Sequence, residues 1–183
     1  MIALIVIGVV VVLLLMWFAS TYNILVRLRN AAKEQWAQVD VLLKRRTDLI
    51  PNVVETVKGY AAHEKDTLDA VISARSKAVS ATTPADEMAA QGELTQALGR
   101  LMALSEAYPE LKANTNFMNL QEELKNTEDK IAYARQFYND AVLAYKNKLE
   151  MFPSSIIGGI CGFKPEPFFE VSAAEKEVPK VQF

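Results

Sequence analysis

Two hydrophobic regimes divide the chain. Residues 1–19, MIALIVIGVVVVLLLMWFA, are apolar all round, and the first charged side chain is Arg27. A bilayer's hydrocarbon core is about 30 Å thick and needs roughly 20 mostly apolar helical residues to cross it. Ile2–Ala19 alone spans roughly 27 Å as a helix, and Tyr22, Ile24, Leu25 and Val26 extend the run. Residues 1–26 are therefore predicted to be a single transmembrane anchor. A cleaved signal peptide would want a basic leading region, a shorter apolar core and an A-x-A-like site, and this stretch has none of these.

Beyond the anchor the pattern changes to apolar positions at spacings of three and four, the signature of amphipathic helices. In the first stretch these are Leu25, Leu28, Ala32, Trp36, Val39 and Leu43. In the second, about 48–80, they are Val54, Val57, Ala61, Leu68, Val71, Ile72, Ala78 and Val79. The third opens on Thr82-Thr83-Pro84-Ala85-Asp86-Glu87, which supplies a capping hydroxyl, a proline at the first helical position and first-turn acids. Its seam is Leu94, Ala97/Leu98, Leu101, Leu104 and Tyr108. The fourth, about 109–151, has the longest repeat, from Leu120 and Leu124 through Thr127, Ile131, Ala134, Tyr138, Val142, Tyr145 and Leu149 to Phe152. Pro51, Pro84, Pro109 and Pro153 punctuate these stretches, each expected where a missing N–H costs nothing. Whether residues 47–52 kink or turn is left open.

The expectation is an all-α protein. An N-terminal transmembrane helix (1–26) precedes an antiparallel, up-and-down cytoplasmic helical bundle (27–152) and an irregular C-terminal tail (153–183). The tail is rich in Pro and Gly, so helix is not expected over most of it, yet Ile156, Ile157, Ile160, Phe163, Phe168 and Phe169 make it too apolar for a free linker. It is expected to dock on its own domain, the alternative being contact with lipid or another chain, and Val178–Phe183 reads as an added extended segment.

Charge then sets location and partners. Arg27, Arg29 and Lys33 follow the run and no Lys or Arg precedes it, so the positive-inside rule predicts the N-terminus outside and the body in the cytoplasm, at the inner (cytoplasmic) membrane. Trp17 and Tyr22, with Arg27 and Arg29, are the expected membrane-interface residues. A net charge of −2 and a pI of about 5.6 argue against a nucleic-acid partner. A single cysteine, Cys161, gives no disulfide framework.

Several blocks resemble the LemA family. They include Tyr22-Asn-Ile-Leu-Val-Arg-Leu-Arg-Asn30, Trp36-Ala-Gln-Val-Asp40, Leu43-Lys-Arg-Arg46 and Asp48-Leu-Ile-Pro-Asn-Val-Val-Glu-Thr-Val-Lys-Gly-Tyr-Ala61, then Tyr108-Pro-Glu-Leu-Lys-Ala-Asn114 and Ala134-Arg-Gln-Phe-Tyr-Asn139. The resemblance implies a bacterial-type membrane protein with an N-terminal anchor and a helical-bundle body. It carries over no catalytic residue, cofactor or mechanism.

Candidate chemistry is sparse. His63 is the only histidine, so a di-iron bundle site with two Glu-x-x-His motifs cannot be assembled, and nothing specifies a zinc set with Cys161. No phosphate-binding glycine loop and no nucleophile elbow occurs. No cofactor is expected. Arg46, Glu64, Arg75, Glu128 and Arg135 fall on or beside the seams, where buried charge is costly unless paired. They are the candidate interior ion-pair layer fixing helix register. Lys44-Arg45-Arg46 lies roughly 35 Å past Ala19 on a straight helix, too far for lipid, and is expected to complement a helix end or pair between helices. The function expected is non-enzymatic scaffolding through self-assembly into a homo-oligomer on the lipid bilayer. The alternative is a regulatory adaptor of another membrane protein, a kinase or protease complex. A ligand-binding or hydrolytic reading would need a deep polar pocket gathering Glu64, Arg75 and Glu128.

Overall fold

The computed structural model describes residues 1–169. Among them are six helices and no strand: α1 (Ile2–Lys58), α2 (Lys65–Ser80), α3 (Pro84–Ser105), α4 (Pro109–Lys112), α5 (Thr115–Glu150) and α6 (Ser154–Ile160). The all-α reading holds, and the Val178–Phe183 segment lies outside the described residues. Two compact units form, one from residues 1–37 and 136–168, the other from 38–135 with Phe169.

In the first unit α1 and α5 run antiparallel, with Leu25 against Tyr145 and Trp36 edge-on to Tyr138 at 5.3 Å between ring centroids. Residues 1–20 of α1 are exposed throughout, and Thr21 is the first buried position. Leu25, Tyr145 and Ile157 form a small core flanked by Leu28, Leu149 and Phe163.

Ile157 belongs to α6, seven residues of helix in a tail whose Pro- and Gly-rich composition excludes helix over most of its length. Its end explains why it forms. Gly162 sits at φ 69°, the left-handed conformation open to glycine at low cost. Its N–H bonds back to the Gly159 carbonyl, and the Phe163 N–H to the Gly158 carbonyl at 3.0 Å. These two bonds and the left-handed glycine make a Schellman motif, which turns Phe163 back onto the cluster around Ile157. Buried Gly158 lets α6 lie close to α5, since a Cβ there would stand 3.0 Å from Leu149 Cδ2.

The second unit holds the larger core. Ile50, Val53, Val54 and Val57 of α1 join Leu68 and Val71 of α2, Leu94 and Leu101 of α3, Leu111 of α4, and Phe117 and Leu124 of α5. Thr83 caps α3 as predicted, its Oγ1 accepting the Asp86 N–H at 3.2 Å ahead of Pro84. Asn114 does the same for α5, accepting the Phe117 N–H at 3.0 Å. The fourth proline-bounded stretch is thus two helices, the single turn α4 and then α5. Of the seam positions named for the second stretch, Ile72 and Val79 are exposed.

Pro51 does not divide the chain. It sits inside α1, which continues to Lys58, and the interruption comes instead at residues 59–64. A helix-interior proline takes away the N–H that would bond four residues back, here to the carbonyl of buried Thr47. That carbonyl accepts from Arg75 Nε of α2 at 2.9 Å. A side chain on the next helix therefore replaces the missing backbone donor.

Candidate functional site

Arg46 is the centre of the second unit's polar interior. It follows Leu43 by three positions on the buried face of α1 and is 1 % exposed. Its Nη1 donates to Glu128 Oε2 on α5 at 2.6 Å and to Thr95 Oγ1 on α3 at 3.0 Å. Its Nη2 donates to the Gln91 carbonyl at 3.2 Å and to Gln91 Oε1. Thr95 Oγ1 itself donates to the Gln91 carbonyl, so every acceptor but Glu128 comes from one turn of α3. Glu128 keeps 41 % of its side chain in solvent, so water shares in stabilising its charge while the guanidinium is sealed. The group ties α1, α3 and α5 together.

The other predicted charges are dispersed. Glu64 stands just before α2 without a side-chain capping bond, and accepts from Tyr108 O–H at 3.0 Å. That bond, with burial and the nearby carboxylate charge, raises the Tyr108 pKa. Arg75 lies about three turns further along α2 and serves the Thr47 carbonyl. Arg135 stacks over Phe169, with its guanidinium carbon 4.2 Å from the ring centroid. Arg46 and Glu128 meet, but the five do not make one layer, because Glu64 and Arg75 are separated along a single helix. Arg45 pairs with Glu123 at 2.8 Å on the surface. Arg45 and Arg46 of the basic cluster therefore pair between helices, and α1 runs on for three more turns beyond them.

Two features escaped the sequence. Gln91 is fully buried, and its place three residues before Leu94 was the available signal. The second is an acid pair, Asp40 and Glu87, in a hollow also lined by Lys44 and Arg75. Burial, then the Asp40 charge and a hydrogen bond with Asp40, push the Glu87 carboxyl up to about 7.

An open groove of about 720 Å³ runs past the Arg46–Glu128 pair, between Leu98, Met102, Met118 and Leu124. Neither Glu64 nor Arg75 lines it, so the polar pocket that a hydrolytic or ligand-binding reading required is not assembled there. His63 is exposed. Among the described residues no three His, Cys, Asp or Glu side chains gather as a metal site.

The predicted interface residues fall in the first unit. Trp17, Tyr22 and Arg27 are exposed. The Tyr22 ring meets Phe163 edge-on at 5.5 Å, and Arg29 lies over the same Phe163 ring at 5.2 Å. Further along α5, Tyr138 O–H donates to the Pro167 carbonyl at 2.6 Å, and burial with the Glu166 charge pushes its pKa up to about 12.

The sequence pattern of the LemA family matches residues 35–183. The chain belongs to the LemA family. The match takes in the helical body and begins after both the apolar run and the Tyr22–Asn30 block. Among similar proteins are two magnetosome proteins of Paramagnetospirillum magneticum, MamQ 1 and MamQ 2, each 26 % identical over 179 residues and 84 % of this chain. Protein LemA of Metamycoplasma hominis is 23 % identical over 163 residues, covering 87 % of this chain and 73 % of its own length. This LemA-family chain spans 66 % of the length of the magnetosome relatives.

Proposed function

We propose that this chain is a non-enzymatic scaffold, held by one span in the inner (cytoplasmic) membrane, that self-assembles through its helical body. The observation that carries the reading is α1 itself. One helix, Ile2–Lys58, begins as a fully exposed apolar run long enough to cross a membrane and ends in the hydrophobic core of the second unit. No flexible linker stands between anchor and body. Exposed Val41 and Tyr133 in one unit, and Phe137 and Leu143 in the other, offer apolar surface for like copies. The basic residues that follow the run support a cytoplasmic body and an outside N-terminus.

The test is the mass of the full-length protein in mild detergent beside a form lacking residues 1–20. Oligomers of equal number in both support assembly through the body. Monomers in both overturn the reading. A different membrane protein purifying with the chain in fixed ratio would move the role to an adaptor. Orientation is read separately in a Cys161→Ser background, with a single cysteine at Lys125 and an impermeant thiol reagent. Labelling in intact cells would place the body outside and sink that part of the proposal.

A further inference from the structure

The stretch Met151–Phe163 carries no charged side chain, although Glu150 and Lys164 bound it on either side. Its inward face is accounted for. Ser154, Ile157 and Gly158 are buried, and Ile157 packs with Leu25 and Tyr145. Its outward face is apolar and bare. Phe152 is 83 % and Ile160 73 % exposed, with Met151 and Ile156 also in the open. Phe152, Ile156 and Ile160 recur every four residues, and the latter two share one face of α6. Phe152 is also where the α5 seam stops obeying its own periodicity, since it continues the inward register of Tyr145 and Leu149 and yet points out.

The position of this face decides what covers it. In the first unit α5 runs antiparallel to α1, so its last turn and α6 lie beside the part of α1 nearest the apolar run. Phe163 touches Tyr22, and Ile157 touches Leu25. Measured along α1, Tyr22 and Leu25 lie about 4.5 and 9 Å beyond Ala19. The headgroup region occupies roughly 5–7 Å on each side of the hydrocarbon core. Phe163 at Tyr22 thus falls within that layer and Ile157 at Leu25 just beyond it, so the corner borders the depth where amphipathic and aromatic groups settle.

We propose that the α5–α6 corner is a second, monotopic membrane contact, with Phe152, Ile156 and Ile160 dipping into the lipid headgroup–acyl boundary beside the span. This rests on the reading of α1 as a membrane span. The occupant is lipid, because the bare apolar side chains stand beside the end of the exposed apolar run of α1, where Phe163 meets Tyr22. Lys164 bounds it on one side, suited to anionic headgroups, and Glu150 with Lys148 on the other.

The full-length chain is reconstituted in phosphatidylcholine–phosphatidylglycerol vesicles with an environment-sensitive fluorophore on one cysteine at a time. Label at position 156, in a Cys161→Ser background, is expected to shift to the blue and lose emission to lipids carrying a shallow quencher. Label at Lys125 is expected to do neither. Exposed Cys161 repeats the measurement with no substitution, which covers the case in which a label at 156 perturbs α6. A third probe at Leu13 must be quenched by deep quenchers, and its failure would sink the span reading itself. Quenching at 13 with none at 156 or 161 overturns the lipid contact alone. A blue shift at 156 without lipid quenching, but with cross-linking between copies, assigns the face to a second copy and also overturns the proposal.

Discussion

Arg75 owes its place to a missing hydrogen. Pro51 cannot supply the N–H that the Thr47 carbonyl would otherwise accept, and Arg75 supplies one from another helix. Replacing Arg75 with Met leaves a buried carbonyl unpaired and is expected to cost about 1–3 kcal/mol. In a Pro51→Ala background, where the backbone donor returns, the same change should cost less than about 1 kcal/mol. Thermal unfolding followed by circular dichroism across the four proteins measures the coupling, and equal costs in both backgrounds would refute it. Glu87 yields a second prediction. A carboxyl raised from 4.5 to about 7 on folding keeps its proton in the native state over a window where the unfolded chain has released it. Stability therefore falls as pH rises from about 4.5 to about 7, then levels off. The Glu87→Gln variant should lack that decline and be the more stable protein at pH 8, as midpoints measured against pH would reveal. Neither role was legible beforehand, because each depends on a partner far along the chain. Arg75 stands 28 residues from Thr47, and a seam position marks a charge as buried without saying which acceptor it meets.

Elements with a regular period were legible and elements made by their ends were not. The seam of α5 announced itself from Leu120 to Leu149, and the cap of α3 from Thr83-Pro84, because both are local patterns. Pro51 misled, since its compensation is tertiary. The helix α6 was hidden for the opposite reason. Its seven residues are poor helix formers by composition, and it is held by the Gly162 turn and by packing of Ile157. A Gly162→Ala change puts a Cβ at φ 69° and should cost about 1–2 kcal/mol. Hydrogen exchange should quicken first over residues 154–160, while protection in α2 and α3 stays as it was. Unchanged exchange in α6 would mean that packing alone holds it.

For the whole molecule, the apolar run, long enough to cross a membrane, contributes nothing to the folded core. Residues 1–20 are exposed throughout, so removing them takes no buried contact away. The shortened chain, which still begins ahead of buried Thr21, should keep its helical spectrum and a thermal midpoint within about 2 °C of the parent in the same detergent. A large drop would show that the run is packed against something in the intact protein. The seam positions of the candidate charges suggest one layer across the body. They are instead a three-helix node at Arg46 with separate local partners elsewhere, because residues that share a seam can still lie several turns apart.

The carbonyl of Thr47 also sets an order of events during synthesis. Domains generally form from the N-terminal end as the chain emerges, and α1 leaves the ribosome before α2. Its proline joint has only water to bond until Arg75 has emerged. The stretch of α1 around Pro51 is therefore completed after α2 has been made, although it precedes α2 in the chain, and an elongation pause before residue 75 would hold the nascent protein with a finished anchor and an unfinished body.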